Sequence, residues 1–270
     1  MQDSECVEFL RWALPQLHRR WSGFRRVRRT TCKRFARRLQ ELKLSGLQSY
    51  REFLERNDAE WSALDALLPI TISSFCRDKA VFDFLGRTAL KEIAEKAAGC
   101  ENMLRAWSIG CASGEEPYTL MLTWHFSVHP FYPNMELHIL ATDVDEAVLE
   151  RSRTACYSAS SLKQLSMTWR EQAFTRDADR YCLRAEYRAG VDFSLQDIRL
   201  VLPTEMFHLI LCRNLVFTYF DESLQRQTLE RILTRLRSGG VLVIGRREKL
   251  PAVAGLSAWS EELGIFRKPG

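Results

Sequence analysis

No uninterrupted apolar run in the 270 residues is long enough to cross a membrane. The longest nearly apolar stretch, Phe207 to Phe220, is broken by Arg213 and Asn214 and falls short of the roughly 20 residues a spanning helix requires. No transmembrane helix and no membrane insertion are expected. The opening MQDSECVEFLRWALPQLHRR has acids where a secretory signal carries bases, and no clean apolar region follows, so a cytoplasmic location is expected. Eight cysteines never come closer than the eleven-residue step from Cys100 to Cys111. Without a Cys-x-x-Cys pair, neither structural zinc nor a disulfide framework is expected. His125 and His129 share one helix face, but Pro130 follows and no acidic partner stands at ligand spacing, so no metal site is expected. Internal repeats and low-complexity tracts are absent.

With 46% hydrophobic residues the chain can bury a real core. Residues 1–68 read as helices alone, over Glu5 to His18, Thr30 to Leu42, Gly46 to Arg56 and Ala59 to Leu68, each with apolar residues three and four apart. Between Arg19 and Arg38 stand ten bases and no acid, although the whole chain is only +5. Removing those ten leaves 29 bases against 34 acids, so the remainder is net negative. Such a run is either a solvated helix face or a docking surface for an acidic helical protein or nucleic acid. Aromatic interleaving is limited to Trp21, Phe24 and Phe35, which argues against single-stranded nucleic acid.

After Pro69 short apolar runs alternate with amphipathic segments: 104–110 then a helix from Glu115 to His125, 136–144 then a helix from Glu146 to Arg153, 207–214 then a helix from Asp221 to Arg237, and VLVIG at 241–245. This is the pattern of a doubly wound, mostly parallel α/β sheet. Residues 173–197 read as a small antiparallel element plus a further sheet strand.

Ligands of such sheets bind where strands end and helices begin. Gly110-Cys111-Ala112-Ser113-Gly114-Glu115-Glu116 follows a strand and opens a helix. Its glycines let the backbone approach a ligand, while its two carboxylates suit a cationic or neutral nucleoside better than a pyrophosphate. A plain N-terminal capping turn is the alternative. Asp143 ends the next strand, 33 residues after Gly110, where an acid taking ribose hydroxyls would stand. Asp145 is the better helix cap. Asn214, in Cys212-Arg213-Asn214-Leu215, needs a loop backbone or a ligand as partner.

WSIGCASGEEPYTL, ATDVDEAVLERSR, FHLILCRNLVFTYFDESLQ and LRSGGVLVIGRREKL, in this order, resemble the CheR-type chemotaxis receptor glutamate O-methyltransferases, which use S-adenosylmethionine. The likeness runs from about residue 10 to 268. It implies a Rossmann-like methyltransferase sheet with a small antiparallel β-subdomain and a basic all-α N-terminal domain. The corresponding boundaries are a helical domain at 1–68, a linker over the cofactor at 69–80 and a methyltransferase domain at 81–270, with the β-subdomain and return at about 160–195. Carried over by position, the linker contacts fall on Thr71, Ser73 and Arg77, the first-loop contacts on Gly110 and Glu116, and the ribose acid on Asp143. The pair flanking adenine falls on Asp197 and Ile198, with Asn214 and Leu215 closing the pocket. Tyr219 would be the aromatic near methyl transfer, although the family usually has one residue fewer between Asn214 and that tyrosine.

The implied reaction is attack of a substrate glutamate carboxylate on the sulfonium methyl, giving S-adenosylhomocysteine and a methyl ester. The carboxylate is already ionised and needs no general base. Arg77 is the residue implied to orient cofactor or substrate, with a salt bridge to Asp78 or Glu116 as its structural alternative. The family's Phe-Phe-Arg reads Phe75-Cys76-Arg77 here, its Gly-His-Ser-Glu reads Gly245-Arg246-Arg247-Glu248, and TRDADRY lacks the glycine-rich insertion. The last departure implies a member that does not use a receptor tether peptide. Recognition then falls to Arg28, Arg34, Arg37 and Arg38, reading the acidic helical cytoplasmic region of a chemoreceptor. Two other readings stand beside this one: a methyltransferase of the same fold with another acceptor, and a non-catalytic S-adenosylmethionine-binding module.

Overall fold

The computed structural model describes residues 2–252 and 255–270. The chain divides into two compact units, one formed by residues up to Ile70 with Val216–Gln227, the other by Thr71–Leu215 with Thr228–Gly270.

The first unit is helical. Its elements are α1 (Asp3–Gln16), α2 (Trp21–Phe24), α3 (Arg28–Glu41), α4 (Leu47–Arg56) and α5 (Asp58–Ala66), and their apolar stripes share one core. At its centre Phe9 meets Phe35 edge-on at 5.4 Å and stacks on Tyr50 at 5.6 Å. The segment Val216–Gln227 belongs here through backbone and rings: Arg20 donates to the carbonyls of Phe217 and Thr218, and the Arg19 guanidinium lies 4.5 Å from the Phe220 ring centroid.

The second unit contains α6 (Lys79–Phe84), a π-helical turn (Leu85–Ala89), α7 (Leu90–Ala97), β1 (Met103–Ile109), α8 (Glu115–Ser127), β2 (Glu136–Asp143), α9 (Glu146–Thr154), β3 (Cys156–Ser158), α10 (Met167–Ala173), β4 (Phe174–Asp177), β5 (Arg180–Leu183), α11 (Ala185–Arg188), β6 (Val191–Leu195) and β7 (Phe207–Cys212). There follow α12 (Val216–Tyr219) and α13 (Glu222–Leu233), which begin in the segment assigned to the helical unit, then β8 (Leu236–Ile244), β9 (Ser257–Ser260) and β10 (Ile265–Arg267). The main sheet runs β6-β2-β1-β7-β8-β10-β9. It is parallel from β6 to β8 and antiparallel beyond. Every residue of β7 is buried, which is why its sequence is apolar on consecutive positions rather than alternating. A separate antiparallel sheet has the order β3-β5-β4. The architecture is the Rossmann-like α/β sheet with a small β-subdomain and a helical unit.

Several boundaries differ from the periodicity. The helix expected to Arg237 ends at Leu233, because the Arg235 carbonyl already accepts from the Phe207 amide at 2.8 Å and draws the chain into the sheet. β8 then bulges before Val241, where Gly239 has φ +72°. Helices within 79–97 and the β9–β10 hairpin had no counterpart in the expected elements.

The expected absence of disulfides is corrected. Cys6 on α1 and Cys32 on α3 are bonded, with Cα atoms 6.0 Å apart, as are the register partners Cys156 on β3 and Cys182 on β5, with Cα atoms 4.0 Å apart. Both pairs are 26 residues apart in sequence. Helix packing and strand register bring them together, and short-range spacing does not report either.

The expected linker is seated on the sheet unit from Thr71 onward. The fully buried Phe75 ring is edge-on to Tyr157 at 4.9 Å and to Phe174 at 5.3 Å. The Phe75 amide donates to the Ser161 carbonyl at 3.0 Å, and the Cys76 amide to Thr119 Oγ1 at 3.0 Å.

Candidate active site

Five neighbouring parallel strands, β6, β2, β1, β7 and β8, end side by side, and seven of the expected residues lie at or just after those ends. Gly110 follows β1 with φ +71°, and its amide and that of Cys111 donate to the Thr142 carbonyl at 2.8 and 3.0 Å. A Cβ at Gly110 would be strained by the positive φ and would stand 2.7 Å from Leu215 Cδ2, so a side chain here would also displace Leu215. Asp143, the last residue of β2 and 8% exposed, accepts from the Ala112 amide at 2.9 Å and the Asp145 amide at 3.1 Å. Burial raises its carboxyl above the ordinary aspartate range despite these amides. Asp145 caps α9 by accepting from the Ala147 amide at 2.9 Å.

Two adjacent acids open α8, and the structure treats them differently. Glu116 is held at both oxygens: Ser108 Oγ donates to Oε1 at 2.9 Å and Arg213 Nη1 to Oε2 at 3.0 Å. Glu115 is 5% exposed, and its Oε2 is buried without a hydrogen-bond partner. Burial raises its carboxyl above the ordinary range, with a hydrogen bond from Ser73 of the linker opposing that rise.

Arg213 stood out in the sequence only as a break in an apolar run. Its side chain, 2% exposed, joins Glu116 to Asp78 Oδ2 at 2.8 Å and to the Arg77 carbonyl at 2.9 Å. Arg77 itself points its guanidinium at its own linker, donating to the Ile72 carbonyl at 3.1 Å. The salt bridges considered for Arg77 with Asp78 and Glu116 are made by Arg213. A charge buried in an apolar strand end was itself the available signal, since such a group requires anionic partners.

Asn214 is left-handed, with φ +57°, and its amide donates to Glu248 Oε2 at 2.9 Å, which also accepts from the Gly245 amide at 2.6 Å. Asp197 is engaged by Arg199 at both carboxylate oxygens, the shortest contact being 2.6 Å, beside the buried Ile198. Thr71 and Ser73 are half-buried.

Tyr219 and the four candidate docking arginines belong to the helical unit. The Tyr219 ring tilts against Phe24 at 4.9 Å. Arg28 donates to Asp3. Arg34 donates to the carbonyls of Leu67 and Pro69. Arg38 forks onto Glu60 at 2.9 and 2.7 Å, and the buried Tyr50 hydroxyl donates to the same carboxylate at 2.8 Å. That network holds Glu60 below the ordinary glutamate range, chiefly through Arg38. Arg37 alone of the four is mostly exposed, its side chain at 70% with a 3.7 Å approach to Glu41.

The donor set fits a cationic nucleoside. Glu115, Glu116, Asp143 and Asp145 surround the first loop and the starts of α8 and α9, a field that repels pyrophosphate. The unpartnered Glu115 oxygen is a buried acceptor that a cation would satisfy. Among the described residues no group of three or more His, Cys, Asp or Glu could hold a metal ion, and no helix is long and apolar enough to cross a membrane.

Residues 71–261 match the family model described as CheR methyltransferase, SAM binding domain. The chain is 34% identical over 214 residues to a chemotaxis protein methyltransferase of Listeria monocytogenes, covering 77% of this chain and 79% of that protein. It is 31% identical over 224 residues to a chemotaxis protein methyltransferase of Salmonella typhimurium, covering 80% and 74%. A chemotaxis protein methyltransferase 2 of Vibrio cholerae is 28% identical over 229 residues, covering 82% and 78%. The sheet with its acid-lined strand ends is therefore an S-adenosylmethionine-dependent methyltransferase domain, and the chain belongs to the CheR methyltransferase family.

Proposed function

We propose that the chain esterifies glutamate side chains in the acidic helical cytoplasmic region of chemoreceptors. The observation that carries this reading is the acid-lined cradle at the strand ends, built for a cationic methyl donor and carrying no histidine. In the sheet unit, His138 and His208 stand toward the amino ends of β2 and β7, and His125 and His129 at the far end of α8. An acceptor that is already ionised suits such a site, because a glutamate carboxylate needs no proton removed before it reacts.

Bound S-adenosylmethionine supplies a methyl group activated by its positive sulfonium. In this reading Glu116 and Asp143 take its polar groups, with Gly110 giving the backbone close approach. Thr71, Ser73 and Arg77 of the linker take the methionine end, Asp197 and Ile198 flank the base, Asn214 and Leu215 close the pocket, and Tyr219 is the aromatic assigned to the transfer. Water exclusion favours a reaction in which opposite charges neutralise. The acceptor is read by the exposed bases Arg25, Arg26, Arg29, Lys33 and Arg37. Arg29, Lys33 and Arg37 follow at i, i+4 and i+8 on α3 and form one face, a stripe complementary to an acidic helix. Arg28, Arg34 and Arg38 contribute by fixing the helices that carry it.

The test is transfer of tritiated methyl from S-adenosylmethionine into chemoreceptor-containing membranes. Label released as methanol in alkali supports the carboxyl ester. Alkali-stable label moves the acceptor to nitrogen, and absence of transfer with cofactor bound favours a binding module.

A further inference from the structure

We infer that Arg213 is a positioning residue for cofactor binding, a side chain through which the seat of the linker and the orientation of Glu116 are set together. The inference rests on the reading that linker and Glu116 both face the cofactor.

The linker enters α6 through a strained corner. Cys76 and Asp78 both have left-handed backbones, with φ +52° and +59°, a conformation that is unfavourable for a residue carrying a Cβ. Such a corner persists only where other contacts hold it. Here Arg213 Nη2 donates to both the Arg77 carbonyl and the Asp78 carboxylate, so one nitrogen grips the corner at backbone and side chain. The other terminal nitrogen, Nη1, reaches Glu116 on the first turn of α8. The guanidinium carbon also lies 5.2 Å from the Phe82 ring centroid, on the helix that the corner opens. With the side chain 2% exposed, water cannot replace a lost partner.

The geometry makes the two ends interdependent. If the linker lifts, Arg213 loses Asp78 and the Arg77 carbonyl and becomes a buried cation with Glu116 as its partner. If Glu116 is neutralised, the linker corner loses the charge balance that fixes its anchor. A planar fork can serve both directions at once; an ammonium group at the same position cannot span them.

The test uses the full chain and titrates S-adenosylhomocysteine by calorimetry, with tryptic cleavage after Arg77 and Lys79 as a separate measure of the linker. Arg213→Lys should weaken binding by about tenfold or more and speed that cleavage by a similar factor, with the thermal midpoint checked for folding. Asp78→Asn, which leaves the Glu116 contact intact, should shift both readings in the same direction by less, and it serves if Arg213→Lys fails to fold. In double-variant cycles with Glu116→Gln the losses should be non-additive. Additive losses, or Arg213→Lys binding within about twofold of wild type, would overturn the role. Unchanged binding in Thr71→Ala and Ser73→Ala, beside faster cleavage in Arg213→Lys, would instead remove the linker from the cofactor site and the coupling with it.

Discussion

The Asp143 carboxylate accepts a hydrogen bond from the Ala112 amide at 2.9 Å, tying the end of β2 to the loop that follows β1. The residue proposed to meet the ribose thus also braces the loop beside it. Ala112 is itself left-handed, with φ +50°, so the brace holds a conformation the chain would otherwise leave. Asp143→Ala should lower unfolding stability by about 1 to 3 kcal/mol and weaken cofactor binding together, because one buried carboxylate serves both. Denaturant unfolding and calorimetry of the same variant check this; a binding loss with stability unchanged would exclude the bracing role.

Phe75 has no polar part in the reaction, yet its replacement should be costly. Phe75→Ala empties the space between Tyr157 and Phe174 and should destabilise the sheet unit by about 3 to 5 kcal/mol. Phe75→Leu should recover part of that loss. Urea unfolding followed by near-ultraviolet circular dichroism gives both values.

Glu115 and Asp143 give the empty enzyme a definite pH dependence. Both carboxyls are raised by burial, so the native state holds protons that the unfolded chain has released. This contribution to stability is complete below the ordinary carboxylate range near pH 4 and is lost as pH rises through the raised native values. Glu115→Gln should flatten that part of the stability curve. Cofactor binding should run the other way, strengthening with pH and releasing a proton, because a cation favours the ionised acid. Calorimetry in buffers of different ionisation enthalpy measures the proton.

Arg37 and Arg38 are adjacent in sequence and should separate in experiment. Arg38→Ala leaves the buried Glu60 without its fork and should cost the helical unit about 2 kcal/mol. Arg37→Ala should leave stability within about 0.5 kcal/mol. Reversing Arg29, Lys33 and Arg37 to glutamate should reduce transfer to receptor membranes most at low salt, with cofactor affinity unchanged. Methylation assays across ionic strength check this.

Thiol titration tests the two cystines. Cys76, Cys100, Cys111 and Cys212 belong to neither disulfide, so the denatured, unreduced chain should show four thiols and the reduced chain eight. Reduction should lower stability by about 3 kcal/mol for each loop closed, on a chain-entropy basis.

The periodicity of residues 3–66 revealed four long helices because each buries one stripe against neighbours of the same kind. The strand β7 was visible as a continuous apolar run because it is buried along its whole length, and β1 and β2 because their carboxyl ends are. Arg38 was less legible: its partner Glu60 lies 22 residues away, and nothing local distinguishes it from the exposed Arg37. Arg213 was hidden differently, since its partners come from two separate segments, around residues 77–82 and at Glu116, and only the fold brings them together. Glu116 and Asp143 were found by their place after strands. Their shared role in holding the loops followed only from the hydrogen bonds.

The helical unit is assembled from two stretches, its last piece being Val216–Gln227. During synthesis on the ribosome, a nascent chain of 70 residues already holds Asp65, the ion-pair partner of Arg19, but lacks the carbonyls of Phe217 and Thr218 that accept from Arg20 and the Phe220 ring beside Arg19, so the unit is complete only after residue 227 has emerged. Cutting the gene at residue 70 would yield two fragments that are each incomplete: one without Phe220 beneath Arg19, the other carrying an orphaned helical insertion. Swapping this helical unit between relatives consequently requires exchanging both stretches at once.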